Sequence, residues 1–460
     1  AGLFTAWAEW HLIGVERAPF DLSLLQRAVL AGRIIWFYVG KLVWPANLIF
    51  IYPRWEILPA ITSSILYPLA VVAVVAGLWM IRRRSRAPLV GFLFFVGSLF
   101  PALGFVDVYP FTFSFVADHF QYLASIGIIA LAAAAASLAV DRLAPLRRPL
   151  GYAACGVLVA TLGILTARQS WMYRDAETLY QTTISRNPQC WLAYNNLGQL
   201  MVQANRPQDA VPSFEHAIEL IPPGGHMAVI QTNLGSALLE SGRRDEAIIH
   251  LRRATTLAPG YAEAHKHLGV GLLGSGQPRE AITELQEAVR LESDYLEARY
   301  ALATALLATG RLAGAISQYR AVLATQPDFA EAHSFLADAL MATGQSRDAV
   351  AHYQRAVQLK SDLPSACNNL AWIYATSEDA QLRNPAEAIR LALKAVELSG
   401  GKDPTYLDTL AAAYAGSGKL AEAVTTAEKA LEMAQSAQNE PLAKGIGERL
   451  ESYRQRQKPK

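Results

Sequence analysis

Apolar and small residues recur along residues 171–435 with a fixed stride. Leu-Gly or Leu-Ala pairs stand at Leu197-Gly198, Leu234-Gly235, Leu268-Gly269, Leu302-Ala303, Leu336-Ala337, Leu370-Ala371 and Leu410-Ala411. The first five are followed thirteen residues later by Ala210, Ala247, Ala281, Ala315 and Ala349. Steps of 34 residues link Leu234, Leu268, Leu302 and Leu336. Each stride predicts two antiparallel helices, brought close by the small residues. Phe214, Leu251, Leu285, Tyr319 and Tyr353 are expected to fill the space between neighbouring units. Pro222, Pro259 and Pro327 close the second helices, because proline lacks an N–H and clashes with the preceding turn. Gly242, Gly276, Gly310, Gly344 and Gly418 mark the turns between helices. Asp175-Ala176, Tyr180 and Pro188 read as the second helix of an incomplete leading unit, ahead of seven full ones. The last two carry extra residues around Ser377–Pro385 and Ser399–Lys402.

Before the repeats the pattern changes to long apolar runs. A membrane helix needs about 20 apolar residues. Ile57–Ile81, Ala87–Val106, Phe120–Val140 and Leu150–Ala167 are predicted as four spans. Residues 28–52 are apolar and aromatic but contain Arg33, Lys41 and Pro45; crowded Trp and Tyr rings suit a membrane–water boundary. An interfacial or re-entrant helix is expected there. Arg82–Arg86 and Arg142–Arg148 are short basic loops, which the positive-inside rule puts in the cytoplasm. The segment Asp107–His119 and everything after Ala167 then lie outside, periplasmic or lumenal.

Composition adds little. Hydrophobic residues make up 52% of the 460, and the excess is in the membrane half. The first 170 residues hold 13 Lys+Arg against 7 Asp+Glu; the remainder holds 28 against 32. That balance gives no basic surface for nucleic acid. Cys155, Cys190 and Cys367 have neither metal spacing nor an even framework, and Cys155 reads as a small core residue. The chain opens on Ala1 without a signal-peptide pattern, so a missing N-terminal portion is expected.

A stride of 34 with small residues at fixed places resembles the tetratricopeptide (TPR) family. The expected fold is all-α: a multi-span membrane domain followed by a right-handed TPR superhelical solenoid. Residues 1–56 are expected to be an outer-face loop and interfacial aromatic region. Four transmembrane helices occupy 57–168, a linker and half repeat 169–190, seven repeats 191–435, and a capping helix with a basic tail 436–460.

Two places invite function. First helices of TPR units line a concave groove. The residue before each Leu-Gly or Leu-Ala pair is Asn196, Asn233, His267, Ala301, Phe335, Asn369 and Thr409. Asparagine here resembles the asparagine ladder of the O-linked N-acetylglucosamine transferase superhelix. An Asn amide both donates and accepts, so it can pair with a peptide backbone; Asn is also frequent at this place in TPR sequences. Asn195, Lys266 and Asn368 flank the groove, and Phe335 and Trp372 make part of it apolar. The expected partners are proteins or extended peptides.

The second place is Asp107, Asp118 and His119, candidates for a lipid-phosphate head group, a metal or a sugar; short loops between spans are also polar simply because they touch water. Asp118-His119-Phe120-Gln121-Tyr122-Leu123-Ala124-Ser125-Ile126-Gly127 resembles the D/E-R-x-x-Y-x-x-S-x-G segment of transmembrane and tetratricopeptide-repeat O-mannosyltransferases and their bacterial relatives. Lys41-Leu42-Val43-Trp44-Pro45 and Tyr52-Pro53-Arg54-Trp55 are similar to the region preceding it. The resemblance implies a multi-span glycosyltransferase with a lipid-linked sugar donor. His119 replaces the family's arginine. The family's catalytic acid lies in a first outer loop with no matching segment here, so no catalytic residue is assigned, and no metal site or other cofactor is identified. The leading expectation is the C-terminal portion of a glycosyltransferase-like membrane protein whose TPR array binds protein substrates. The alternative is a non-catalytic membrane-anchored TPR adaptor for envelope assembly.

Overall fold

A computed structural model describes residues 22–55, 64–105, 114–222 and 226–457, and among these it is helical without strands. It divides into an N-terminal unit, Ala1–Ser241, and a C-terminal unit, Gly242–Lys460. Residue Asp107 and the first part of the Ile57–Ile81 run lie outside the described residues.

In the N-terminal unit, α1 runs Leu24–Val43. Ser23 opens it with a capping box: its hydroxyl accepts from the Gln26 N–H, and the Gln26 side chain accepts from the Ser23 N–H. Leu30, Ile34 and Tyr38 recur every four residues and bury one face. Helices α2 (Leu66–Ile81), α3 (Ala87–Ser98), α4 (Tyr122–Asp141) and α5 (Arg148–Ser170) follow. Phe92, Phe95, Leu99, Phe115 and Ala124 complete a core with the α1 face. Helices α3 and α4 cross at glycines: a Cβ on Gly127 would stand 2.8 Å from the Gly91 carbonyl oxygen, the close approach that small residues permit between apolar helices.

Two helical segments are long and apolar enough to cross a membrane, Asp118–Asp141 and Pro145–Tyr173. The other two expected spans are shorter. Helix α2 has 16 residues and α3 has 12. The Ala87–Val106 run breaks at Ser98 because Pro101 follows, and the chain turns through a 3-10 segment at Phe100–Ala102. Residues 28–52 are not one interfacial helix. Their first part belongs to α1, buried against α2–α4, and 44–55 form an irregular strap. Cys155 is half-exposed on α5, a helix with no buried residue, and so is not a core residue.

Helices α6 (Ala176–Arg186), α7 (Trp191–Gln203), α8 (Pro207–Leu220) and α9 (His226–Glu240) complete this unit. Asp175 caps α6 by accepting from the Thr178 N–H at 2.7 Å.

The C-terminal unit holds α10 (Arg244–Leu257), α11 (Ala262–Gly274), α12 (Pro278–Leu291), α13 (Leu296–Ala308), α14 (Leu312–Thr325), α15 (Ala330–Ala342), α16 (Ser346–Leu359), α17 (Pro364–Thr376), α18 (Pro385–Leu398), α19 (Pro404–Gly416), α20 (Leu420–Ser436) and α21 (Glu440–Gln457). From α11 on, each packs against its neighbours in chain order, as in a solenoid. Gly276 takes φ 75° at the α11–α12 turn, a left-handed value that glycine adopts without cost. Asn205 does the same job between α7 and α8 at φ 59°. Helices α8, α10 and α14 end two residues before Pro222, Pro259 and Pro327. The large residues pack within a repeat: a Cβ on Gly198 would lie 2.8 Å from the Phe214 ring, and one on Gly269 would lie 2.5 Å from Leu285 Cγ. Helix α21 covers the last repeat with Ile446, Leu450 and Tyr453.

Candidate functional site

The expected groove residues lie on first helices of the repeats, and short-range hydrogen bonds join several of them. In the N-terminal unit, Asn195 and Asn196 are on α7 and Asn233 is on α9. Asn233 Nδ2 donates to Asn195 Oδ1 at 2.9 Å, and Asn195 Nδ2 donates to Asn196 Oδ1 at 3.2 Å. Asn195 is buried; Asn196 and Asn233 are half-buried. Among the described residues the Asn196 amide hydrogens and the Asn233 carbonyl oxygen have no partner, so each end of this relay faces outward with unspent capacity.

In the C-terminal unit, Lys266 and His267 share α11. Lys266 Nζ is 2.8 Å from His267 Nε2, and His267 Nε2 is 3.7 Å from Glu263 Oε1. The nearby His267 and the Tyr261 hydroxyl, which donates to Glu263, hold the Glu263 carboxyl down at about 2 against its burial. Lys266 Nζ also stands 5.7 Å from the Tyr295 ring centre.

Asn368 and Asn369 are on α17. Asn369 Nδ2 donates to Asp338 Oδ1 at 3.0 Å and lies 3.3 Å from the Tyr353 hydroxyl, which itself donates to Asp338. Asn368 Nδ2 donates to Asn369 Oδ1 at 3.1 Å, while its own buried Oδ1 is unpartnered. Burial raises the Asp338 carboxyl, and Tyr353 and Asn369 oppose that rise. Asp338 is thus the hub of this network. Its place one helical turn after Phe335, on the groove face, was the only trace of it in the sequence. Trp372 carries the Arg449 guanidinium 5.4 Å from its ring centre. Arg449 grips Asp408 through Nε at 3.0 Å and through Nη2. Beside Trp372 a cavity of about 610 Å³ opens between Met341, Arg347, Ile373 and Asp379.

The membrane-side pair separates. A 3-10 turn at Asp118–Gln121 sends Asp118 inward, 9% exposed, and leaves His119 exposed with its ring edge on Phe120. Tyr52 donates to Asp118 Oδ1 at 2.8 Å. Tyr38 holds the preceding residue: its hydroxyl donates to the Ala117 carbonyl and accepts from the Ala117 N–H, both at 3.0 Å. Lys41 and Arg186 are positive groups whose field reaches the carboxylate. Burial and Asp118 push the Tyr52 hydroxyl far up, so it remains a donor. Gln121, 8% exposed, keeps an unpartnered Oε1. Tyr52, Lys41 and Gln121 were not recognised as companions of Asp118 in the sequence; Tyr52 lies 66 residues away.

The strap between α1 and α2 ties this cluster to the first repeats. Gln169 Nε2 donates to the Leu48 carbonyl at 2.7 Å, Arg186 donates to the same oxygen, and Asn187 Nδ2 donates to the Ile51 carbonyl at 3.1 Å. Ile51 packs with Cys190 and Ala193.

Tetratricopeptide-repeat family models match residues 192–259, 272–339 and 307–370. Similar solved structures include YrrB, a TPR protein with an unusual peptide-binding site, at 23% identity over 41% of this chain and 96% of that one, TM-score 0.36. MamA follows at 22% over 37% of this chain and 92% of its own, TM-score 0.33. MamA from Desulfovibrio magneticus RS-1 stands at 22% over 38% and 97%, TM-score 0.34. No curated protein sequence matches the chain. The family matches, the 34-residue stride and the paired helices agree: this chain carries tetratricopeptide repeats.

Proposed function

We propose that the chain is a membrane-anchored TPR protein whose repeats hold an extended segment of a protein partner outside the cytoplasm. The carrying observation is the amide relay Asn196–Asn195–Asn233 on first helices, with half-buried ends whose donors and acceptors are unspent. Such groups pair with peptide backbone without reading side chains. Each neutral bond is worth about 0.5–1.5 kcal/mol net. Replacing Asn196 and Asn233 together by Ala is expected to weaken a bound peptide by roughly 1–3 kcal/mol, about fivefold to 150-fold. Calorimetry with a partner found by crosslinking tests this. Equal affinity for parent and double variant sinks the relay and points to the apolar floor at Phe335 and Trp372.

The membrane reading rests on two long apolar segments and on exposed apolar faces of the shorter helices, including Leu66, Val72, Val90 and Leu93. On this reading α2 and α3 belong to the same membrane domain, and both arginine loops face the cytoplasm.

A second reading is favoured by the buried carboxylate at Asp118 with Tyr52 above it and the unpartnered Gln121 oxygen beside it. Here the chain belongs to a glycosyltransferase-like membrane protein using a lipid-linked sugar donor, and the repeats recruit the acceptor protein. The chain is expected to transfer no sugar by itself, because no segment matches the outer loop to which the resemblance assigns catalysis, and Asp118 has no paired acid in its own loop except Asp107. Sugar transfer to peptide that Asp118→Asn abolishes would place the active site at this turn and refute that expectation. Without any transfer, the non-catalytic adaptor remains.

A further inference from the structure

Two successive first helices of the C-terminal unit repeat one arrangement, with a lysine at one place in the first copy and a tyrosine there in the second. In the first copy α11 presents Glu263, Lys266 and His267, and the ring just before α13 is Tyr295. Lys266 lies over that ring, and its charge reaches Glu263. Thirty-four residues on, Glu263 becomes Glu297, Lys266 becomes Tyr300, His267 becomes Ala301 and the ring becomes Phe329. The carboxylate and the aromatic face are kept, while the lysine and the histidine are gone.

The consequence is a pocket of about 420 Å³ lined by Leu296, Glu297, Tyr300, Gln326, Asp328 and Phe329. Tyr300 and Phe329 form one aromatic wall, ring centres 4.9 Å apart and tilted by 33°. Phe335 backs the wall 6.2 Å from Tyr300. Both wall residues are only half-buried, so ring face is left open. Asp328 is engaged by Arg355, and Glu331 nearby by Lys360. Among the described residues Glu297 makes no hydrogen bond or ion pair, so it carries the net negative charge at the rim.

We propose that this pocket takes a lysine or arginine side chain of the extended partner polypeptide, stacked on Tyr300 and Phe329 and paired with Glu297. An aromatic face attracts a cation through its quadrupole, and a carboxylate at the rim adds direct attraction. The resident Lys266 shows the same chemistry one repeat earlier. A neutral apolar side chain would fill the wall but leave Glu297 unanswered. The excess acid of residues 171–460 favours a basic segment as well. The inference rests on the groove reading above and adds the side-chain class it selects.

The test is a screen of random-sequence peptides on the full chain in detergent. Binders are expected to share a Lys or Arg at one position. Exchanging it for Gln should weaken binding about tenfold, the scale of a solvent-accessible cation–π contact added to an exposed ion pair. Glu297→Gln and Tyr300→Ala should each shrink that Lys-to-Gln penalty. Glu297 is exposed, so its variant keeps the test independent of folding. Binders without a basic residue, or an equal penalty in Glu297→Gln, overturn this inference and leave the groove reading standing. Absence of any peptide binder overturns both.

Discussion

His333 on α15 and His352 on α16 meet through their Nδ1 atoms, 2.8 Å apart, across the two helices of one repeat. His333 Nε2 faces the Pro327 carbonyl at 3.0 Å, which fixes that nitrogen as a donor and its Nδ1 as the acceptor from His352. Sixty-eight residues earlier the same place holds His265 against Glu284 at 2.7 Å, and between them Arg299 bonds Gln318 at 3.0 Å. One polar bridge thus ties first to second helix in three successive repeats, but only the third joins two groups that charge alike.

Burial, His333 and Arg320 hold His352 below the usual histidine range, with Asp348 opposing them. A depressed folded value means the unfolded chain takes the proton first. The associated stability is present above about pH 6.5 and is lost as pH falls toward the folded value. Amides of α15 and α16 should therefore exchange faster on mild acidification, after correction for intrinsic rates, and His352→Gln should flatten that response. Equal pH dependence in parent and variant would show that the pair does not titrate.

Gly269→Leu should destabilise the array. Even a Cβ there would lie 2.5 Å from Leu285 Cγ and 3.2 Å from the Ala281 carbonyl oxygen. Overpacking of this kind costs roughly 1–3 kcal/mol, and Ala281→Leu should cost as much from the other side. Thermal unfolding measures it; unchanged melting of both variants would contradict the close approach.

Arg449→Ala should lower stability by roughly 1–3 kcal/mol, because it leaves the Asp408 carboxylate buried without its partner. The figure stays below that for a fully buried pair since the Arg449 head is one-third exposed. Arg449→Ala combined with Asp408→Asn should recover part of the loss. No recovery would assign the effect to the stack on Trp372 instead.

A cysteine at exposed Gln277, in a background free of Cys155, Cys190 and Cys367, should react with an impermeant thiol reagent in intact cells. Reaction only after permeabilisation would reverse the orientation read from the arginine loops.

The repeats were legible because their packing is local and repetitive: Gly269, Ala281 and Gly276 each serve one close contact or turn that recurs at a fixed distance. The break of α3 was written in Pro101, but summed hydropathy over Ala87–Val106 hid it. Ser23 with Gln26 likewise marked the true start of α1. The Asp338–Tyr353–Asn369 hub and the Tyr52–Asp118 bond were not legible. Each depends on which way a side chain turns after distant elements have packed, and no spacing rule encodes that.

The strap at residues 44–55 has a mechanical consequence. Pro145–Tyr173 is 29 residues long, about 43 Å at 1.5 Å per residue, and exceeds a hydrocarbon layer of about 30 Å. It enters α6 without a flexible tether, and Gln169, Arg186 and Asn187 clamp Leu48 and Ile51 from that side. The next link in the strap is Tyr52, bonded to Asp118. The first repeats are therefore geared to the head of α4 rather than hung from it. A partner that tugs on α6 and α7 loads the strap, and the load arrives at the Asp118 turn as tension.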